Sequence, residues 1–335
     1  MGDSLKGRVA VVTGSGQGIG RAIAIGLAGE GAKVVTNNRQ PGGTATANML
    51  TDRHLDNMDE ERSAWYRKEM ASLGGDAEAT ARMIRDRGGE ATPCYADASD
   101  FEAAGRLIRT AVDTYGRIDI LANIAGAFGI CPVEELTEET WDRVTRIKPK
   151  GYFNTIRHAL PHMIGQQWGR IINTTSRAFN GDLIKHAEYC AANAGVVGLT
   201  KAVAIEMAEH NITCNAISPF ARTRASYELE GVTEGSMTGG REVWLTAPSG
   251  GKLLEETPGP EHIAPFVCYL AGDAAAHISG SIFSVGGNGI GMYADFEIAR
   301  SINKPGKEPW TVDELAAQLP RSFFSGYKAP ATNYH

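Results

Sequence analysis

The segment Val-Val-Thr13-Gly14-Ser15-Gly16-Gln17-Gly18-Ile19-Gly20-Arg-Ala-Ile-Ala constrains this chain more than any other. A β-branched apolar run enters it and an apolar helical pattern leaves it, so residues 13–20 must turn the chain from a strand into a helix. Four glycines in eight residues leave the backbone bare. A bare turn can approach a pyrophosphate closely and aim helix N-terminal N–H groups at it. The spacing Gly14-x-x-x-Gly18-x-Gly20 differs from the commoner G-x-G-x-x-G. Glycine is abundant along the whole chain, 40 of 335 residues. Without a G-X-Y period this excludes collagen and predicts many tight turns.

Short β-branched runs alternate with longer helical patterns. Strands are expected at 9–13, 33–37, 91–96, 118–123, 170–175, 212–218 and 281–285, with helices at 19–28, 77–87, 101–115 and 191–210 between them. Several strands are apolar on both faces, as in a parallel sheet covered by helices on both sides. The expected fold is therefore α/β, a doubly wound, Rossmann-type parallel sheet of about seven strands in a single domain, residues 1–291. Three stretches exceed what such a sheet needs. These are a polar insertion at about 40–76, a Gly-, Thr- and Pro-rich loop at about 224–260, and an extension at 292–335. The extension holds a capping box at Thr311 and Glu314 and ends in aromatic residues Phe323, Phe324 and Tyr327. Those aromatics are expected to pack on this domain or on a neighbouring copy.

Charge narrows the partners. Lys and Arg number 33 against 39 Asp and Glu, a net charge of −6, which disfavours nucleic acid and anionic membranes as partners. The five scattered cysteines lack a C-x-x-C pair and read as reduced cytosolic thiols, with no metal site. Histidines His158 and His162 have i, i+4 spacing but no acidic or Cys partner nearby. No signal-peptide pattern, myristoylation motif or membrane span is read, since Lys6 occupies the position where myristoylation needs Ser or Thr. The expected location is the cytoplasm.

The motifs together resemble the short-chain dehydrogenase/reductase family, from about Leu5 to Gly291. Thr13-Gly14-x-x-x-Gly18-x-Gly20 matches its nucleotide turn, and Asn123-Ile-Ala125-Gly126 is similar to its N-N-A-G after the fourth strand. Ser176 stands thirteen residues before Tyr189, and Pro219 follows the sixth strand. The resemblance implies that a nicotinamide dinucleotide is held by Gly14, Ser15, Gly16, Gln17, Gly18, Ile19 and Gly20. It further implies contacts from Asp97 and Ala98 at the adenine, from Asn123, Ala125, Gly126, Tyr189, Asn193 and Pro219, and from Thr223 at the carboxamide. Where an NAD(H) enzyme carries an acidic residue for the ribose 2′-OH, this chain has Asn38 followed by Arg39. That pair suits a 2′-phosphate, so NADP(H) is favoured over NAD(H). An Arg39 that merely covers the adenine of NAD(H) is the alternative.

The catalytic pattern departs from the family. Its relatives use Ser, Tyr and Lys, with Tyr-x-x-x-Lys on one helix and an Asn on the preceding helix. Ser176 and Tyr189 match, but Asn193 stands at the Lys position and Lys148 at the Asn position. A phenol near pKa 10 is a poor base unless a cation favours phenolate. The two changes are reciprocal, so Lys148 is expected to supply that cation from the opposite helix, turned inward where Pro149 breaks the helix. The competing expectation is a Lys148 that points into solvent on an inactive chain.

The leading functional expectation is an NADP(H)-dependent oxidoreductase interconverting a secondary alcohol and a ketone, with Tyr189 as acid/base. A catalytically silent NADP(H)-binding subunit of a hetero-oligomer is the alternative, and a cofactor-free lyase or dehalogenase a third. The resemblance also implies a homodimer or homotetramer. Segments around Pro219 and after strand two look similar to the dehydrogenase part of multifunctional β-oxidation enzymes, which points towards hydroxyacyl thioester, steroid or alicyclic substrates. Met237, Trp244 and Leu245 fall in the loop expected to close over substrate. Trp65 and Tyr66 are expected to pack at the sheet edge.

Overall fold

The computed structural model describes residues 2–42, 50–181, 185–235 and 257–326. Among them the strands form one eight-stranded sheet in the order β3-β2-β1-β4-β5-β6-β7-β8. Seven are parallel: β1 (Val9–Val12), β2 (Lys33–Asn38), β3 (Ala91–Tyr95), β4 (Ile120–Asn123), β5 (Gly169–Thr174), β6 (Ile212–Phe220) and β7 (Ile282–Gly286). The eighth, β8 (Gly289–Met292), pairs antiparallel with β7. All seven expected strands are present, and β8 adds an antiparallel eighth. Strand β8 is Gly-Ile-Gly-Met and exposed throughout, so it shows none of the apolar alternation by which the others are legible. The Gly287-Asn288 dipeptide between β7 and β8 is its sequence signal, a two-residue hairpin turn with Gly287 at φ 55°.

Period-two alternation places successive side chains of a strand in two separate cores. Ala10 and Val12 of β1, with Ile120 and Ala122 of β4, join Ile23 and Leu27 of helix α1 (Gly18–Gly29). Val9 and Val11 of β1, with Leu121 of β4, face the other way. There they meet helix α5 (Phe101–Tyr115) and helix α7 (Tyr152–Gln166) through Leu107, Ile108, Ile156 and Met163. Each central strand is therefore buried on both faces, the condition for a doubly wound sheet. Asp119, wholly buried at the entry to β4, accepts from the Val9 N–H at 2.9 Å and from Arg117 Nη2 at 2.6 Å, tying β1 and β4 together at their N-terminal ends.

The insertion contains helices α2 (Asp52–Asp56) and α3 (Glu60–Ser72) before α4 (Ala77–Asp86). Tyr66 is wholly buried, with Leu55 and with Tyr227 of helix α9 (Arg224–Gly235), and Trp65 lies 5.6 Å from the Tyr227 ring. The expected packing at the sheet edge is corrected: these aromatics bind the insertion to the segment after β6. The expected helix at 191–210 is α8 (Ala187–Glu206), which brings Tyr189 into its first turn. Residues group into two compact units, Met1–Tyr293 and Ala294–His335; the second holds a helix, α11 (Val312–Gln318), opened by the Thr311–Glu314 capping box. A further short helix, α10 (Ala264–Ala271), precedes β7. Residues Met237, Trp244, Leu245 and Tyr327 lie outside the described residues.

Candidate active site

Strand order reverses between β1 and β4, and the sheet opens there at its carboxyl end. Thr13 Oγ1 accepts from the N–H groups of Ile124 and Ala125 at 2.9 and 3.1 Å, holding the ends of β1 and β4 close. Gly14, at φ 62°, lies so near that a Cβ on it would stand 2.9 Å from Ala125 Cα. The bare turn is thus enforced by packing as well as by conformation. In front of it opens a cavity of about 850 Å³.

Most of the residues singled out in the sequence line that cavity. Gly14, Gln17, Gly18, Ile19 and Gly20 form its floor, Asn38 and Arg39 one end, and Asp97 and Ala98 the wall beside them. Ala125, Gly126, Lys148, Ser176, Tyr189, Pro219 and Thr223 line the rest. Four others support the wall from behind. The Ser15 hydroxyl accepts from the Asn37 N–H at 2.7 Å, and Gly16 gives room to the Asn38 carboxamide. Asn123 belongs to a buried ladder, donating to Asn173 Oδ1 at 3.0 Å and accepting from Thr155 at 2.7 Å. Asn193 is wholly buried.

A dinucleotide fits this surface. The turn and the N-terminus of α1 offer N–H groups without side chains in front of them, and two buried side-chain oxygens at the same place, Gln17 Oε1 and Asn38 Oδ1, have no partner among the described residues. Asp97 accepts from the Ser99 N–H at 2.9 Å, which fixes the wall next to Arg39.

Lys148 and Asn193 meet in the structure. Helix α6 (Glu138–Thr145) continues through a π-helical stretch, Arg146–Gly151, and breaks at Lys148, whose φ of −129° and ψ of 130° are extended. Pro149 explains the break, since it has no N–H and disfavours helical backbone in the residue before it. The side chain of Lys148 turns inward, 3% exposed, and Nζ donates to Asn193 Oδ1 at 3.3 Å. Gly126 makes room for it: a Cβ there would stand 3.2 Å from Lys148 Cε. Asn193 Nδ2 donates in turn to the Tyr189 carbonyl at 2.8 Å, and Thr175 Oγ1 donates to the Asn193 carbonyl at 3.0 Å. The expectation of a solvent-facing Lys148 is therefore overturned.

Burial decides the electrostatics. It lowers the Lys148 ammonium from 10.5 to about 7. It raises the Tyr189 phenol, against which the side chains of Ser176 and Asn193 pull it back down. Ser176 Oγ accepts from the Ala178 N–H at 3.3 Å.

Three residues were not singled out in the sequence. Tyr152, buried beside Lys148, donates to the Ala125 carbonyl at 3.0 Å, and Lys148 Nζ sits 5.6 Å from its ring centroid. Phe128 lies 5.6 Å from the Tyr189 ring. His186, three residues before Tyr189, also lines the cavity. No cluster of metal-ligating residues occurs, and no helix is long and apolar enough to cross a membrane, both among the described residues.

Comparison with known proteins agrees with this architecture. Residues 8–58 and 70–226 match the family model of the short chain dehydrogenases; the gap falls inside the insertion. A peroxisomal multifunctional enzyme type 2 of Mus musculus is 32% identical over 92% of this chain, and this chain spans 36% of that protein's length. A hydroxyacyl-CoA dehydrogenase of Mycobacterium tuberculosis is 29% identical over 96% of this chain and 90% of its own length. A crystal structure of a short chain dehydrogenase from Mycobacterium avium superposes with a TM-score of 0.74 at 30% identity, covering 98% of this chain and 97% of that one. On the family model, the fold and the nucleotide turn alike, the chain belongs to the short-chain dehydrogenase family of NAD(P)-using oxidoreductases.

Proposed function

We propose that the protein is an NADP(H)-dependent enzyme that interconverts a secondary alcohol and a ketone, with its cation on the helix opposite Tyr189. One observation carries this reading: Lys148, buried in the cavity that holds Ser176 and Tyr189, places its ammonium 3.3 Å from Asn193. A solvated Lys on an inactive chain would have no reason to accept that burial, because desolvating a charge is costly.

The bound nicotinamide supplies or accepts the hydride. Gly14, Gly18, Gly20 and the α1 N-terminus would hold its pyrophosphate, and Asn38 and Arg39 the adenosine 2′-phosphate. Asn38 is neutral and Arg39 offers a bidentate fork at the same end of the cavity, which supports NADP(H). Ser176 donates a hydrogen bond to the substrate oxygen. Tyr189 takes the proton from that oxygen in oxidation and returns it in reduction. Lys148, when protonated, favours the phenolate through space and through the Asn193 amide that it polarises. Asn193 would also keep a contact to the cofactor, the role the exchange leaves to it. The hydroxyacyl-CoA dehydrogenase similar to this chain supports a hydroxyacyl thioester as substrate class. A homodimer or homotetramer is the assembly proposed.

Assay of a ketone panel with NADPH tests the reading. Turnover that is lost in Lys148→Ala supports it, and undiminished turnover in that variant rejects the exchanged pair. Tight NADPH binding without turnover of any ketone or alcohol would instead identify a silent subunit.

A further inference from the structure

His186 has no part in the reaction described above, yet both of its ring nitrogens are buried at the cavity. It is 2% exposed, it lines the cavity, and neither Nδ1 nor Nε2 has a hydrogen-bond partner among the described residues. Buried histidines that serve only the fold are normally hydrogen-bonded. The position is held firmly. The Lys185 carbonyl accepts from the Cys131 N–H at 2.9 Å and Glu188 Oε1 from the Gly129 N–H at 3.0 Å, so the start of α8 is laced to the loop after β4. Phe128 from that loop lies 6.2 Å from the His186 ring and 5.6 Å from the Tyr189 ring. The His186 and Tyr189 rings are themselves 6.2 Å apart.

Burial lowers the His186 pKa, with Glu188 and the Gly129 backbone acting in the opposite direction; the Gly129 carbonyl reaches neither nitrogen with hydrogen-bond geometry. A neutral imidazole carries one donor and one acceptor. A ligand that lies between Ser176, Tyr189 and His186 and gives the imidazole N–H an acceptor presents a second oxygen beside the reacting one. The reacting oxygen is the one at Ser176 and Tyr189. Two oxygens on carbons separated by one carbon lie roughly 3–5 Å apart by standard bond lengths, a separation that fits rings 6.2 Å apart.

We propose that His186 is a specificity-determining residue that receives a second substrate oxygen, the carbonyl of a 3-oxoacyl or 3-hydroxyacyl ester or thioester. The inference rests on the alcohol–ketone reading of the cavity and narrows it. A simple ketone leaves the imidazole N–H without an acceptor, and the ester or thioester carbonyl of a 3-oxoacyl compound supplies one. Sites built around a buried hydrogen-bonding group reject analogues that lack its partner.

The test compares ethyl acetoacetate with 2-pentanone, which lacks the second carbonyl, in NADPH-dependent reduction. His186→Leu is expected to lower kcat/KM for ethyl acetoacetate roughly tenfold to hundredfold, mainly through KM, and to leave 2-pentanone within about twofold. His186→Gln, which can still donate and accept, is expected to recover most of the loss. Equal losses on both substrates, or none on the ester, would overturn the proposal. The native protein provides a second readout that needs neither turnover nor a folded variant. In ¹⁵N-histidine-labelled protein the His186 ring nitrogens should shift with ethyl acetoacetate and stay unmoved with 2-pentanone, assigned by their absence in His186→Gln or, should that variant not fold, by ring contacts to Phe128 and Tyr189. If the native enzyme reduces neither compound, the oxidoreductase reading fails alone and these shifts still decide the role of His186.

Discussion

Replacing Lys148 by Met removes the ammonium while keeping the length of a buried chain. Its effect on rate can be worked from one number, the lowering of Lys148 to about 7 by burial. Suppose the protonated form speeds alcohol oxidation about 10²-fold, the lower end of what general acid–base assistance contributes. The native enzyme then owes its advantage to the protonated fraction alone. With a midpoint near 7, the ratio of native to variant kcat/KM is roughly 90 at pH 6, roughly 10 at pH 8 and roughly 2 at pH 9. Taking the ratio at each pH removes whatever both proteins share. Steady-state oxidation with NADP⁺ across that range is the assay. A ratio near one throughout, or a large ratio that does not change with pH, would refute the charge argument. Stability supplies an independent sign. The folded pKa lies below the unfolded 10.5, so the unfolded chain holds more protons between about pH 7 and 10.5, and native stability rises with pH across that window. The cost of Lys148 is complete below pH 7, at most about 5 kcal/mol. Lys148→Met should therefore melt higher than the native protein at pH 6, with the gap closing towards pH 10.

Three further substitutions test other parts of the site. Asn38→Asp places a carboxylate where a 2′-phosphate is proposed, and fluorescence titration should show the NADPH-to-NADH affinity ratio falling about tenfold or more towards NADH; an unchanged ratio would remove Asn38 from cofactor choice. Asn123→Ala removes the donor to the buried Asn173 Oδ1 and one acceptor of the Thr155 hydroxyl, so denaturant unfolding should show a loss of about 1–3 kcal/mol, with NADPH affinity nearly intact at low temperature. A large loss of affinity without loss of stability would assign Asn123 to the cofactor instead. Pro149→Ala restores an N–H and frees Lys148 to become helical, which would draw Nζ away from Asn193; activity should fall as in Lys148→Met while the fold persists, and full activity would show that Pro149 does not aim the lysine.

The residues legible from sequence are those whose role lies in backbone shape or strict spacing. Gly14, Gly18 and Gly20 announce a bare turn because nothing else explains their absence of side chains between a strand and a helix. Ser176 and Tyr189 are legible through their thirteen-residue separation. Strand β8 escaped because an exposed Gly-Ile-Gly-Met run has no period to read. The direction of a side chain escaped for a different reason: Ser15 turns towards β2, and Asn123 spans β4, β5 and α7, which depends on neighbours far off in sequence. Trp65 and Tyr66 read correctly as buried or half-buried aromatics, but their partner, Tyr227, stands 161 positions after Tyr66. His186 looked like one more scattered histidine, and only its burial without a partner sets it apart.

The proposed exchange of Lys148 and Asn193 makes a geometric demand on the site. Two side chains that meet across a gap can trade backbones only if the longer one still finds room and the shorter one still reaches its neighbours. Both conditions hold. Gly126 clears the space that Lys148 Cε and Nζ occupy, and the break before Pro149 turns the lysine off the helical path. Asn193, short enough to stay against its own helix, bonds the Tyr189 carbonyl one turn back and accepts from Lys148 on its other side. The trade is not neutral, however. Lys148 lines the cavity but is buried, so its charge is conditional on pH.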